Sequence, residues 1–272
     1  MDIRPLGSLF ETDTHGYVVN ECAWEKIQPP WLELVEALRD RVLHEFGDRV
    51  HSFYLRGSVP RGRAIVQVSD IDSFVILSSA VMPTDEACLA KIEQDLSRQH
   101  PCCKDIEIAL IEPDELEAPG SFWPALIKTQ GLCVAGEDLE KAIAPFKPGS
   151  DLVFHALHLA DDILETQTYL RQISGLHPQA SALVKSRCGW LMRRFVRTGF
   201  ELVMERENRF TRDLYPCYER FAHYYPEQES YMRKALELAL KPTGDRAGLL
   251  CFFSIFGRWL VAEVDQTFVS SR

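Results

Sequence analysis

Asp70 and Asp72 stand at the head of an apolar run, Ile71-Asp72-Ser73-Phe74-Val75-Ile76-Leu77, that reads as a β-strand. Strand side chains alternate between faces, so both carboxylates fall on one face, about 7 Å apart. Hard divalent cations such as Mg²⁺ take oxygen ligands of this kind and also bridge phosphate oxygens. The pair is therefore the outline of a metal-assisted phosphoryl-transfer site. Such chemistry calls for one more acid, to complete the metal site or to take a proton from an attacking hydroxyl. The run Asp105-Ile106-Glu107-Ile108-Ala109-Leu110-Ile111 offers two candidates, Asp105 and Glu107, again on one strand face. Upstream, Tyr54-Leu55-Arg56 leads into Gly57-Ser58, where a residue without a side chain lets the backbone approach a ligand and a hydroxyl can donate to a phosphate oxygen. A helix starting there would add its free N–H groups as an anion site. Gly62 then turns the chain back toward Ser69-Asp70.

These residues need a scaffold of strands, and the hydrophobic period supplies one. Trp31 to Phe46 repeats apolar residues at Leu34, Val35, Leu38, Val42 and Phe46, the spacing of an amphipathic helix. The period then changes: residues 51–55, 71–77 and 106–111 read as strands, 132–134 as a short fourth, and 85–98 as a helix between the second and third. Ala144-Pro145-Phe146-Lys147-Pro148-Gly149-Ser150 has linker chemistry. Beyond it, residues 151–173, 180–207, 227–240 and 246–268 carry helical patterning with short connections, which suggests a bundle of four or five helices.

The ordered set Gly57-Ser58, Gly62, Ser69-Asp70-x-Asp72 and an acid on a later strand resembles the nucleotidyltransferase superfamily related to DNA polymerase β. More narrowly it is similar to the aminoglycoside and streptomycin adenylyltransferases, in which a polymerase-β-like domain precedes a helical bundle. The likeness covers residues 50–140, including Leu132-Cys133-Val134-Ala135-Gly136-Glu137-Asp138-Leu139, which is similar to the segment that closes the family's catalytic domain. The resemblance implies that Gly57 and Ser58 hold the nucleotide triphosphate, that Asp70 and Asp72 bind Mg²⁺, and that the third acid is a metal ligand or general base. Glu107 is favoured for that role because an apolar strand follows it directly; Asp105 is the alternative. Ser69 and Arg61 join the nucleotide-binding candidates, and Arg56 and Arg63, which also flank the loop, are open between phosphate contact and solvation.

A second basic feature lies in the helix Val184 to Glu207. Val184, Cys188, Leu191, Phe195 and Leu202 form its apolar stripe, and Lys185, Arg187, Arg193, Arg194 and Arg197 occupy the remainder. A solvated face is one reading; the other makes Lys185, Arg187 or Arg194 a phosphate clamp. His155, His158 and Asp162 share a helical face but read as core or surface residues, and the aromatics Tyr215, Tyr218, Phe221, Tyr224 and Tyr225 as bundle core and rim.

Composition sets bounds. The 272 residues carry 46% hydrophobic and 26% charged side chains, ordinary for a globular chain of about two domains. Residues 1–150 hold 14 Lys and Arg against 25 Asp and Glu, while residues 151–272 hold 16 against 15. A net charge of −10 disfavours non-specific nucleic-acid binding, which depends on many cationic contacts to phosphates. The longest apolar stretch, 247–262, falls short of the roughly 20 residues of a membrane span, and the first residues lack the pattern of a secretion signal. Eight cysteines without a C-x-x-C pair then read as reduced thiols in a cytoplasmic protein.

The resulting expectation is an α+β chain: a polymerase-β-like domain with a mixed sheet and an N-terminal extension at 1–146, then an all-α bundle at 151–272, with the active site in the cleft between them. By resemblance it transfers a nucleoside monophosphate, AMP from ATP foremost, to a hydroxyl on a small molecule such as an aminoglycoside or on a protein, and releases pyrophosphate. The alternative is a non-catalytic NTP-binding sensor of the same fold.

Overall fold

The computed structural model describes residues 3–174 and 178–269. Strands β1 (Val50–Arg56), β2 (Ile71–Leu77), β3 (Ile106–Ile111) and β4 (Leu132–Gly136) form one mixed sheet in the order β3-β2-β1-β4. β1 is antiparallel to β2 and β4, and β2 is parallel to β3. A parallel pair requires a crossover, and α2 (Pro83–Gln99) supplies it. Pro83 opens α2 where its fixed φ and missing N–H cost nothing, and the Asp85 carboxylate accepts from the Met82 N–H at 2.8 Å, closing the first turn. Arg49 clamps the same carboxylate with two bonds of 2.9 and 2.8 Å, and these hold the Asp85 carboxyl below its usual range.

Alternation sorts the strand residues onto two faces. On one, Phe53, Leu55, Val75, Leu77, Ile106 and Ile108 pack with α2 and with the buried stripe of α1 (Trp31–Phe46). On the other, Tyr54, Phe74, Ile76 and Ile111 meet Leu126 and Ile127. The last two come from α4 (Trp123–Gln130), which follows the short α3 (Pro113–Glu117). Neither α3 nor α4 was anticipated from the sequence.

By contact density the chain forms two compact units, residues 18–146 and residues 1–17 together with 147–272. The break at 146/147 lies in the Pro-rich stretch. The first 17 residues, expected with the first domain, instead belong to the helical unit. Their backbone latches there: Ser8 N–H donates to Asp213 (2.9 Å), Phe10 N–H donates to the Phe210 carbonyl (2.8 Å), and the Phe10 and Phe210 rings lie 5.4 Å apart.

The helical unit contains α5 (His155–Gln172), α6 (Ala180–Glu201), α7 (Met204–Glu207), α8 (Leu214–Tyr224), α9 (Glu229–Leu240), α10 (Arg246–Phe252) and α11 (Arg258–Val264). The segments Phe253–Gly257 and Asp265–Val269 are π-helical, so α10 and α11 join into one long helix. It runs past the apolar stretch seen in the sequence, and over Arg246–Phe268 it is long and apolar enough to cross a membrane by length and composition alone. Its inner side, Leu249, Phe253, Phe256, Leu260 and Val264, is buried, and Gly257 approaches Ile163 of α5 and Phe195 of α6. The predicted α6 stripe of Val184, Cys188, Leu191, Phe195 and Leu202 is buried throughout. At the start of α5, the Glu201 carboxylate accepts from the N–H groups of His155 (3.1 Å) and Ala156 (2.7 Å) and pairs with His155 Nδ1 (2.9 Å). These donors satisfy the free N–H groups of a helix end.

Candidate active site

Strand register brings the acids together. Arg56, the last residue of β1, is the partner of Asp72 on β2, and Asp72 is the partner of Glu107 on β3. The three side chains therefore form one row across three strands, at the open end of the sheet face that α4 covers further along. Asp72 is the single residue of β2 that is not buried. Asp70 and Asp105 precede Asp72 and Glu107 by two residues, and both are solvent-exposed.

The loop leading to these acids is tied down by backbone bonds. Gln67 N–H donates to the Cys102 carbonyl (2.7 Å), Lys104 N–H to the Ser69 carbonyl (3.0 Å) and Ile71 N–H to the Asp105 carbonyl (2.9 Å). Asp70 is thus fixed against the segment that carries Asp105. The Ser69 hydroxyl accepts from the Ile65 N–H at 2.9 Å, so its place in the loop is to close this turn.

Gly57 is required on two counts. Its φ of +89° suits glycine, and a Cβ there would stand 2.9 Å from Asp72 Oδ2. The chain thus turns directly over the Asp72 carboxylate, with Ser58 next in line. Gly62 also has positive φ, +69°, and faces the Lys26 carbonyl, which a Cβ would meet at 3.1 Å.

The electrostatics single out Glu107. Desolvation by its neighbours, followed by the Asp72 charge, pushes its carboxyl above the ordinary range, while Arg56 pulls the other way. The side chain still reaches solvent. Glu107 rather than Asp105 is in register with Asp72, and an Asp105 oxygen accepts from the next N–H, that of Ile106, at 3.0 Å.

The arginine candidates are engaged within the protein. Arg61 is buried with its Nε 3.1 Å from Glu21, which also receives Arg63 at 3.1 Å. Glu21 lies 40 residues upstream with no motif around it, and the sequence reading did not include it. In the helical unit Arg187 is paired with Glu165 and Arg194 with Asp162, and both guanidinium groups stack on Trp190, 4.4 and 4.8 Å from its ring centre. Lys185 is exposed. His155 is buried against Glu201, and burial depresses its pKa to about 3, so it stays neutral as a core residue.

The candidate donor set, Asp72 and Glu107 of the row with Asp70 two residues ahead of it, is all carboxylate oxygen, the chemistry that Mg²⁺ takes. Among the described residues, no three His, Cys, Asp or Glu side chains are already gathered at metal-holding distance. Arg56 Nη2 instead lies 3.2 Å from Asp72 Oδ1.

No family model matches the chain, and no curated protein matches it in sequence. Among solved structures it is similar to the crystal structure of spectinomycin adenyltransferase AAD(9) from Enterococcus faecialis with ATP and spectinomycin, with a TM-score of 0.53. The two chains share a fold. Identity is 12%, and the likeness covers 86% of this chain and 98% of that one, more than either compact unit alone could supply. The α+β architecture anticipated from the Gly57-Ser58 and Asp70-x-Asp72 pattern is therefore the one observed.

Proposed function

We propose that the protein is a nucleotidyltransferase that moves a nucleoside monophosphate from an NTP, ATP foremost, to a hydroxyl of a small-molecule acceptor and releases pyrophosphate. The observation that carries this reading is the row Asp72–Glu107, joined by Asp70, directly beneath the Gly57-Ser58 turn. The shared fold supports it, and the spectinomycin adenyltransferase, whose structure contains ATP and spectinomycin, favours a small-molecule acceptor over a protein.

Asp70, Asp72 and Glu107 would hold Mg²⁺, which when bound neutralises triphosphate charge and orients the α-phosphate for in-line attack. Gly57 lets the backbone turn close over the Asp72 carboxylate, and Ser58 adds a donor for a phosphate oxygen. Glu107 would complete the metal site or, as the alternative role, take the acceptor's proton. Arg61, through Glu21, braces the loop at whose start Ser58 lies.

The test is incubation with α-labelled and, separately, γ-labelled ATP and Mg²⁺, with a panel of aminoglycoside and aminocyclitol acceptors and a cell lysate. Label from the α-phosphate on a small molecule is the expected result. Label on a protein would replace the acceptor class. ATP binding with no transfer from either position would refute catalysis in favour of an NTP sensor.

A further inference from the structure

We propose that Arg56 is the built-in counter-ion of the acidic row: it holds Asp72 while no divalent cation is bound, yields it when one arrives, and so sets the metal affinity of the site. The inference rests on the reading of Asp70, Asp72 and Glu107 as metal ligands. Arg56 and Glu107 flank Asp72 from opposite sides, one on β1 and one on β3, because β2 lies between those strands. A carboxylate drawn toward Arg56 is drawn away from Glu107. Both Asp72 oxygens are on the β1 side: Oδ1 is 3.2 Å from Arg56 Nη2, and Oδ2 occupies the space that the missing Cβ of Gly57 leaves. Among the described residues no three acids are gathered at metal-holding distance, and the draw of Arg56 on Asp72 acts against such a gathering.

The contact has the character of an exchangeable pair. A strong charge-assisted bond between nitrogen and oxygen measures about 2.7–2.9 Å, and the Arg56–Asp72 contact is longer and single, between side chains 28% and 21% exposed. The Arg61–Glu21 pair, 6% and 11% exposed, and the two-pronged Arg49–Asp85 clamp show what a structural ion pair looks like in the same unit. A single contact at the solvent edge of the sheet holds less firmly than a buried or two-pronged pair, so Arg56 can leave Asp72 more readily than Arg61 can leave Glu21 or Arg49 can leave Asp85. Its placement has a different consequence: it supplies the positive charge that the acidic row otherwise lacks, and a cation entering the row must compete with it.

Mn²⁺ binding to the purified full chain, followed by electron paramagnetic resonance without nucleotide, tests the proposal without recourse to turnover. Arg56→Gln is expected to bind Mn²⁺ about tenfold more tightly than wild type. Arg56→Lys, which keeps the charge, is expected to stay within about threefold of wild type. Asp72→Asn is expected to abolish binding in either background, and circular dichroism confirms that each variant is folded. Unchanged affinity in Arg56→Gln, with binding still lost in Asp72→Asn, would overturn the role of Arg56 and leave the metal ligands standing. Equal tightening in Arg56→Gln and Arg56→Lys would also overturn it, because charge would then not be the cause. Mn²⁺ binding that survives Asp72→Asn would overturn the ligand assignment beneath it.

Discussion

Replacing Gly57 with alanine tests the site through a single methyl group. Two effects follow from the structure. An alanine at φ +89° is strained by about 1–2 kcal/mol, and its Cβ would press on Asp72 Oδ2 at 2.9 Å, a distance at which the carboxylate must move. Gly120 provides the control within the same unit: its φ is +79°, and nothing lies within 4 Å of its Cβ position. Gly120→Ala therefore carries the strain without the displacement. Both variants are expected to lose roughly 2–8 °C in melting temperature, taking about 2–4 °C per kcal/mol for a chain of this size. Activity should separate them. With Asp72 as the proposed metal ligand, a shift of its carboxylate by a fraction of an ångström to 1 Å is expected to lower pyrophosphate release about 10²-fold in Gly57→Ala, with Gly120→Ala near wild type. Mn²⁺ titration of both variants reports the same displacement without catalysis. If Gly57→Ala matched Gly120→Ala in both assays, the close approach of the turn to Asp72 would have no functional weight and the reasoning would fail.

Three further outcomes are expected. Asp70→Asn with Asp72→Asn should abolish transfer while leaving the melting temperature little changed or raised, since the substitutions relieve acid–acid repulsion at the sheet end; retained transfer would refute the metal assignment. Asp85→Ala should cost about 1–2 kcal/mol in urea unfolding through loss of a helix cap and its Arg49 clamp, and the Arg49→Gln variant should show part of the same loss. The pH dependence of stability should report His155: its folded pKa, about 3, lies below the unfolded value, so the unfolded chain binds the extra proton. The stabilisation is present above roughly pH 6.5 and falls by about 1 kcal/mol per unit below it. Urea titrations at pH 7.5, 6.5 and 5.5 should then slope more steeply for wild type than for His155→Gln, and equal slopes would contradict a neutral buried imidazole.

The legible part of the fold is the part that short-range pattern controls. β2 and β3 are continuous apolar runs interrupted by one acid each near the head, so both strand and site could be read from the same residues. α1 announces itself through a complete 3.6-residue stripe. Less was visible where tertiary context overrides local signal. α4 is only eight residues long and opens with a Trp-Pro pair, too short for a period to show. α8 contains Pro216 in its first turn, where a proline is tolerated, yet in the sequence that proline reads as a break between helices. The charged candidates were hardest to rank, because a lone arginine carries no mark of its partner. Arg61 finds Glu21 across 40 residues, and Arg187 and Arg194 find acids on another helix. Arg56 could be ranked only once the register placed it opposite Asp72.

The attachment of the first 17 residues to the helical unit gives the chain an order of assembly. Residues 18–146 form one continuous unit whose two ends are already joined, Val18 N–H donating to the Phe146 carbonyl at 2.9 Å. That unit can complete itself on the ribosome as soon as it emerges. The opening segment cannot: Phe10, 1% exposed in the finished protein, waits for Phe210. At about 5–20 residues per second, the roughly 200 residues between them take on the order of 10–40 s to synthesise. During that interval an aromatic side chain stays open to the ribosome surface and to chaperones, and the last unit to close is the helical one, whose segments lie on either side of residues 18–146.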